Sequence, residues 1–490
     1  MLRLVLVAAL AVFSITPVSA AWHKASSRHF VVYADADSAF LGTYAEKLER
    51  VDQAIRSARG MPDPDIGLGN RLHIFVVPSA LDVAKLMRGN NPSVAGFYRT
   101  SATNMIAVVP RRTNRQSQLT PDAVFFHEYA HHLMFQAMNA PMPAWLVEGF
   151  AEFMSTAETL PNGSIGLGAA PVHRARDLYR RENPFPFTQL LAAAQPRTDR
   201  ERSAVYSRGW LLTHYLTFSE KRRGQLDKYL SLMAGGMDGL QAAQSAFGDL
   251  RTLERDTEDY LKADKFPYLT VPPERLKLGT IKVEQLPAGA AAMMPLHIRL
   301  RAGADENRPA LISEIAAVAA RYPKDALVQT TLGYAYIDGG NPSGAGIAAD
   351  AALAADPGSV EGMILKGRAL LAQAKMSRKA EEFTAARSWF NKANRVDPED
   401  PEPLIWFYRS FLEQKAPPTA NAIAALTYAS DLAPQDMALR LIAARLYLTQ
   451  GKIAEAKRRL VPVAFNPHGG KLADEAQELL QRIGAASGQN

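Results

Sequence analysis

The sequence predicts an α+β N-terminal half, a small mixed sheet backed by a helical part, followed by an all-α array of repeated helix pairs. Three observations carry that expectation. Before residue 118, apolar runs of strand length alternate with helical stretches. From 119 to 262 the periodicity is mainly helical, and two of those helices gather histidines and glutamates. From about Asn307 onward the chain is alanine-rich, and helix-closing prolines recur at Pro323, Pro357, Pro398, Pro434 and Pro467, spaced 34, 41, 36 and 33 residues apart.

With 490 residues, 47% of them hydrophobic, the chain can fill two or three cores. Residues 1–20 carry one charge, Arg3, then an apolar run from Leu4 to Phe13 and Val18-Ser19-Ala20 before Ala21. That pattern predicts a secretory signal peptide cleaved after Ala20, hence a protein exported across the inner membrane, to the periplasm first and the extracellular medium as the alternative. The run is shorter than the roughly 20 residues that span a bilayer, so no transmembrane anchor is expected. There is no cysteine, which excludes disulfides and thiolate metal ligands. A net charge of +7 without a long Lys/Arg block speaks for solubility and against nucleic-acid binding.

Residues 21–118 make the sheet. His29–Tyr33 and Leu72–Val77 read as strands, Phe40–Arg59 as an amphipathic helix, and Leu81–Met87 as a short one. Gly96–Arg99 and Met105–Val109 form a hairpin. The residues alone leave open whether Met105, Ile106, Ala107 and Val108 lie in the sheet's core or on its edge.

The stretch 120–153 carries the chemistry. Thr120 caps a helix with Pro121 in its first turn, and Asn139, Ala140 and Pro141 end it. On it lies His127-Glu128-Tyr129-Ala130-His131, the H-E-x-x-H pattern, whose two histidines project from one helix face toward one metal. His132 points off that face and reads as structural. Beyond Pro141-Met142-Pro143 comes Trp145-Leu146-Val147-Glu148-Gly149-Phe150-Ala151-Glu152-Phe153, and a short turn there would set a second helix beside the first. A catalytic zinc site wants three protein ligands and an open position, and Glu148 would be the third.

These two segments resemble the gluzincin metallopeptidases, in particular the peptidase-MA-like branch with its Trp-Leu-x-Glu-Gly-x-Ala-Glu helix. The resemblance implies a zincin-like catalytic domain with one zinc held by His127, His131 and Glu148. It also implies Glu128 as general base, Glu152 as a carboxylate that orients a ligand histidine, and Met105, Ile106, Ala107 and Val108 as the substrate-binding edge strand that pairs with an extended peptide. The amine-binding Gly-x-Met-x-Asn-type motif of gluzincin aminopeptidases is missing, and no Asp or Glu stands between Ser93 and Thr120. An endopeptidase is favoured over an aminopeptidase. After the third ligand such enzymes place a Tyr or His that donates to the oxyanion. Tyr206 and His214, on one stripe with Trp210, both qualify; the family pattern prefers Tyr206.

Residues 263–305, with five prolines and strand-like pieces such as Leu296–Leu300, read as a connector packed on one neighbour. Residues 306–490 resemble tetratricopeptide repeats. Leu332-Gly333, Tyr336, Ala345, Ala352 and Pro357 fall in register, as do Ala386, Phe390, Ala393 and Pro398 in the next unit. Four repeats and a capping helix over Leu472–Ile483 are expected, with an insertion near Ala374–Ala380 lengthening one helix. The combined expectation is an exported zinc metalloendopeptidase cleaving protein or peptide substrates, whose repeats hold a protein partner but take no part in the chemistry. The alternative is an envelope scaffold or chaperone-like adaptor working through its repeats, with a vestigial metal site.

Overall fold

The computed structural model describes residues 22–86, 96–112, 118–138, 140–179, 185–192, 198–263, 265–303 and 307–487. The leader expected at 1–20, Met87 and the helix-ending Asn139 lie outside them. In order come β1 (Trp22–Ser26), β2 (Phe30–Asp35), α1 (Ser38–Arg59), β3 (Leu72–Ser79), α2 (Ala80–Leu86), β4 (Phe97–Ser101) and β5 (Asn104–Arg112). Asp37 starts α1 by accepting from the Phe40 N–H at 2.8 Å, and Gly60 ends it at φ 59°, a left-handed turn that glycine adopts without strain.

The strands form one sheet in the order β4-β5-β3-β2-β1, closed on the far side by β9 (Lys282–Gln285). The central pairs β5/β3 and β3/β2 are parallel and the outer ones antiparallel. Side chains alternate between two buried faces. Phe30, Val32, Ala34, Ile74, Val76, Met105, Ala107 and Val109 join the core that includes residues of α1 and of the helices that follow Thr120. Val31, Tyr33, Phe75, Val77, Ile106 and Val108 form the other. This two-sided burial explains the unbroken apolar run in β5.

It also overturns one expectation. Met105, Ile106, Ala107 and Val108 are not an edge: β5 is bonded to β3 on one side and to β4 on the other, so no peptide can add to it. Among the described residues the edges of this sheet are β4, beside β5, and β9.

The helical part follows as α3 (Pro121–Ala137), α4 (Ala144–Ser155), β6 (Glu158–Thr159), β7 (Ile165–Leu167), α5 (Ala175–Leu178), α6 (Phe187–Ala192), α7 (Asp199–Phe218), α8 (Gln225–Ala234), α9 (Gly239–Phe247) and α10 (Leu250–Tyr260). β8 (Leu269–Val271) completes a small sheet with β6 and β7.

The connector differs from its expectation. Leu296–Leu300 is not strand but the last part of α11 (Ala288–Ala302), a helix that accommodates Pro295. Its Ala290, Met294 and Ile298 cover the second sheet face, while Met293 and Leu296 pack with Leu311, Ile315 and Val328 beyond. α11 is thus built into both neighbours, and it pairs with α12 (Arg308–Arg321) as the first hairpin of the helical array.

The array continues with α13 (Ala326–Asp338) and α14 (Pro342–Ala355), α15 (Val360–Ser377) and α16 (Ala380–Val396), α17 (Pro401–Glu413) and α18 (Ala420–Leu432), then α19 (Met437–Thr449), α20 (Ile453–Ala464) and the final α21 (Gly470–Ser487). Each closing proline stands just past the second helix of a pair. α15 has 18 residues against 13 in α13, which is where the insertion falls. The chain is therefore mostly helical, with a small mixed sheet at its N-terminal end. None of the helices among the described residues is long and apolar enough to cross a membrane.

The array docks on the N-terminal half. Ala102 N–H donates to Asp436 Oδ2 at 2.9 Å, Gly69 N–H to Asp397 Oδ2 at 3.1 Å, and Arg440 Nη2 to the Phe135 carbonyl near the end of α3 at 2.8 Å. An arginine on the last carbonyls of a helix satisfies groups that the helix itself leaves open.

Candidate metal centre

Local sequence fixes α3. Thr120 Oγ1 accepts from the Ala123 N–H at 3.1 Å, with Pro121 at the first helical position. The residues between the motif's anchors hold the helix in place: Tyr129 is buried against Phe30 and Phe125, and its hydroxyl donates to Asp52 on α1 at 2.7 Å. His132 stacks on Tyr129, 5.5 Å between centroids, and burial lowers its pKa to about 3. It faces away from the site.

Pro143 opens α4, its carbonyl accepting from the Leu146 and Val147 N–H groups at 2.9 and 3.0 Å. α4 packs against α3 and lies closest to α7, where two glycines meet. A Cβ on Gly149 would stand 2.3 Å from the Gly209 carbonyl oxygen, and one on Gly209 would stand 2.4 Å from that of Trp145. This backbone contact brings α7 over the site.

Three donors converge there. His127 Nε2 and His131 Nε2 are 3.2 Å apart, and each approaches Glu148 Oε2, at 3.3 and 3.4 Å. Four ligands arranged tetrahedrally at zinc's bond lengths of roughly 2.0–2.1 Å are about 3.3 Å from one another. The three separations match that edge. All three side chains are buried, and among the described residues neither oxygen of Glu148 has a partner of hydrogen-bond geometry. A buried carboxylate without a proper donor costs several kcal/mol unless a cation meets it, so the donor set fits a divalent ion.

Around the triad the charges are ordered. Glu152 Oε1 lies 3.3 Å from His127 Nδ1. The same carboxylate receives His173 Nε2 at 2.9 Å and Arg174 Nη2 at 2.6 Å. Burial would raise the pKa of Glu152, but these partners hold it well below the carboxylate range. Burial would likewise strip the proton from His127, yet Glu148 and Glu152 on its two nitrogens keep its pKa up, at about 10. The cluster draws positive charge, as a proton or as a metal in its place. His131 Nδ1 is buried without a hydrogen-bond partner, so that ring lacks the support His127 has.

Glu128 is half-buried on α3, and its charge acts on Tyr98, Tyr206 and His468. The Tyr206 ring stacks on His127 at 5.4 Å, with the Arg174 guanidinium 4.6 Å above its centroid. Burial, followed by the charges of Glu148 and Glu128, pushes the phenol's pKa far up, so it stays a donor. His214 is elsewhere. Its ring nitrogens meet the Pro267 carbonyl and the Tyr260 hydroxyl, each at 2.9 Å, inside an aromatic cluster, and burial lowers its pKa to about 4. Met105–Val108 contribute no open surface to the site.

The array was expected to stay out of the chemistry. Yet it reaches the same cluster: His468, in the turn between α20 and α21, places Nε2 2.9 Å from Glu148 Oε1 and 3.5 Å from the Tyr206 hydroxyl. His173, Arg174 and His468 were all missed by sequence reasoning. His173-Arg174 offered only its spacing after Glu152, and His468 is a single ring in Asn-Pro-His-Gly-Gly.

No family model matches the chain, and no curated protein matches it. Among solved structures it is similar to TTC0263, a thermophilic tetratricopeptide-repeat protein of Thermus thermophilus, at 19% identity and TM-score 0.32, over 40% of this chain and 100% of that one. It is also similar to MamA, at 17% identity and TM-score 0.26, over 41% of this chain and 99% of that one.

Proposed function

We propose that this chain is a zinc-dependent hydrolase of gluzincin type that cleaves peptide bonds, with the helical array, read as tetratricopeptide repeats, binding a protein partner or substrate. The observation that carries it is the convergence of His127, His131 and Glu148 at tetrahedral edge distances, with Glu128 one position along the same helix. When bound, the ion supplies Lewis acidity, polarising a carbonyl and acidifying water. Glu128 accepts the proton of the attacking water and returns it to the leaving amine. Tyr206, held on His127 and kept protonated, donates to the developing oxyanion. Glu152 fixes the His127 ring. Export, one zinc per chain and endopeptidase action belong to the same proposal; strand addition by a substrate moves to β4, since β5 is interior.

A second reading has its own support. Among the described residues the array supplies most of the α-helix, and paired-helix arrays expose extended surfaces for protein partners. In that reading the chain is an adaptor, and the metal site is structural.

The test is hydrolysis of an unfolded protein by the zinc-loaded full chain beside its Glu128→Gln variant. The proposal expects cleavage by the first, lost at least 10²-fold in the second at unchanged zinc content. No cleavage by either, with a partner retained by both, would establish the adaptor.

A further inference from the structure

The two oxygens of Glu148 face different halves of the molecule. Oε2 lies 3.3 and 3.4 Å from the Nε2 atoms of His127 and His131, on the side where an ion would sit. Oε1 lies 2.9 Å from His468 Nε2, a short approach but not an in-line hydrogen bond. His468 stands outside the set of donors that all converge on one point. Its ring meets His131 edge-on at 5.6 Å, and the Tyr206 hydroxyl is 3.5 Å from the same Nε2. The Glu148 side chain is 1% exposed and that of His468 52%, so the imidazole reaches in from the cleft surface to a buried carboxylate.

This arrangement has a chemical use. A carboxylate that binds a metal through one oxygen swings about its side-chain torsions unless the other oxygen is held. Removing a group that holds such a ligand typically costs about 10–100-fold in metal affinity. Among the described residues His468 makes the short approach to Oε1, and the Tyr206 hydroxyl, itself beside His468 Nε2, interacts with the same carboxylate. The turn carrying His468 is itself fixed. Phe465 packs with the α7–α9 core, and Arg440 pins the preceding helix pair to the Phe135 carbonyl, one helical turn beyond His131.

We infer that the helical array completes the metal centre: His468 is a positioning residue that holds the outer oxygen of Glu148, so metal affinity depends on the array staying docked. The inference rests on the metal-centre reading above. It makes the array part of the site, so a partner that pulled the α19–α21 end away would loosen the metal and a partner that clamped it would tighten the metal. Only a neutral imidazole in its Nε2–H tautomer is required.

The test measures zinc affinity of the full-length wild type, His468→Ala and His468→Gln by competition with a chromophoric chelator, with thermal unfolding of each metal-free protein as the folding control. The expected result is binding of about one zinc by the wild type, 10–100-fold weaker binding by His468→Ala, and partial recovery by His468→Gln, whose amide N–H can reach the same oxygen, with metal-free melting temperatures alike. Equal zinc affinity in wild type and His468→Ala would overturn the inference and leave the triad standing. If that variant also hydrolysed substrate faster, His468 would be a plug rather than a support. A wild type that binds no zinc would overturn the inference together with the reading beneath it.

Discussion

Gly149→Ala separates two opposing effects whose magnitudes predict the sign. Replacing a glycine inside a helix by alanine ordinarily gains roughly 1 kcal/mol. On α4, however, the new Cβ would stand 2.3 Å from the Gly209 carbonyl oxygen and 2.6 Å from Thr213 Oγ1, where real contacts stay beyond 3.0 Å. The obstacle is backbone, so one helix must move bodily by at least about 0.7 Å, and overpacking of that kind costs about 1–3 kcal/mol, here at the upper end. The expected net loss is about 1–2 kcal/mol, a fall in melting temperature of about 1–2 °C for a chain of 490 residues unfolding as one unit. Gly42→Ala is the matched control: it also lies within a helix, α1, but its Cβ would meet Val283 at an ordinary 3.5 Å, so it should gain up to about 1 kcal/mol. Because Tyr206 rides on α7, the Gly149 variant should also weaken the stacking of that ring on His127. Circular dichroism melts of the three proteins measure the stability difference. A Gly149→Ala protein as stable as wild type would refute the claim that this glycine pair sets the distance between α4 and α7.

Two further outcomes follow from the same geometry. Tyr206→Phe keeps the ring on His127 but removes the donor, so steady-state kinetics should show kcat down roughly 10²-fold with KM little changed; a normal kcat would make the ring a packing element only. Asp400, 5% exposed at the start of α17, has its pKa raised to about 7 by burial and the neighbouring Glu402 charge. The folded state therefore holds this proton more tightly than the unfolded chain, whose value is about 4. Its contribution to stability is fully present below about pH 4 and is lost as pH rises toward 7, by up to about 1.4 kcal/mol per unit. Asp400→Asn, which can still cap the Glu402 N–H, should flatten that part of a pH series of denaturant melts, and an unchanged slope would contradict the assignment.

Much of the site could be read from local pattern. The i, i+4 spacing of His127 and His131 sets two rings on one helix face, and Thr120-Pro121 marks where that helix starts. The proline spacing located the hairpins of the array because each pair must stop and turn at a fixed length. What escaped was whatever the chain brings together over long distances. The unbroken Met105–Val109 run already signalled burial on both faces, but only the pairing with β3 and β4 shows that β5 is interior. Leu296-His297-Ile298-Arg299-Leu300 alternates like a strand, yet the alanines before it favour helix, and α11 needs two apolar sides because it is wedged between sheet and array. Tyr206 and His214 share one stripe of α7; the Gly149–Gly209 contact and the Tyr260 hydroxyl sort one into the site and the other out of it. His468 had no local signature, since a lone histidine in a proline-glycine turn acquires meaning only when folding carries it to Glu148.

The central claim is that His127, His131 and Glu148 form a metal centre, and the zinc content of the purified full-length protein tests it most directly. Elemental analysis after zinc loading and removal of free metal should find about one zinc per chain in the wild type and in Glu128→Gln, which touches no proposed ligand position. It should find little or none in His127→Ala, His131→Ala or Glu148→Ala. No bound zinc in the wild type, or one zinc retained in all three ligand variants, would contradict the account.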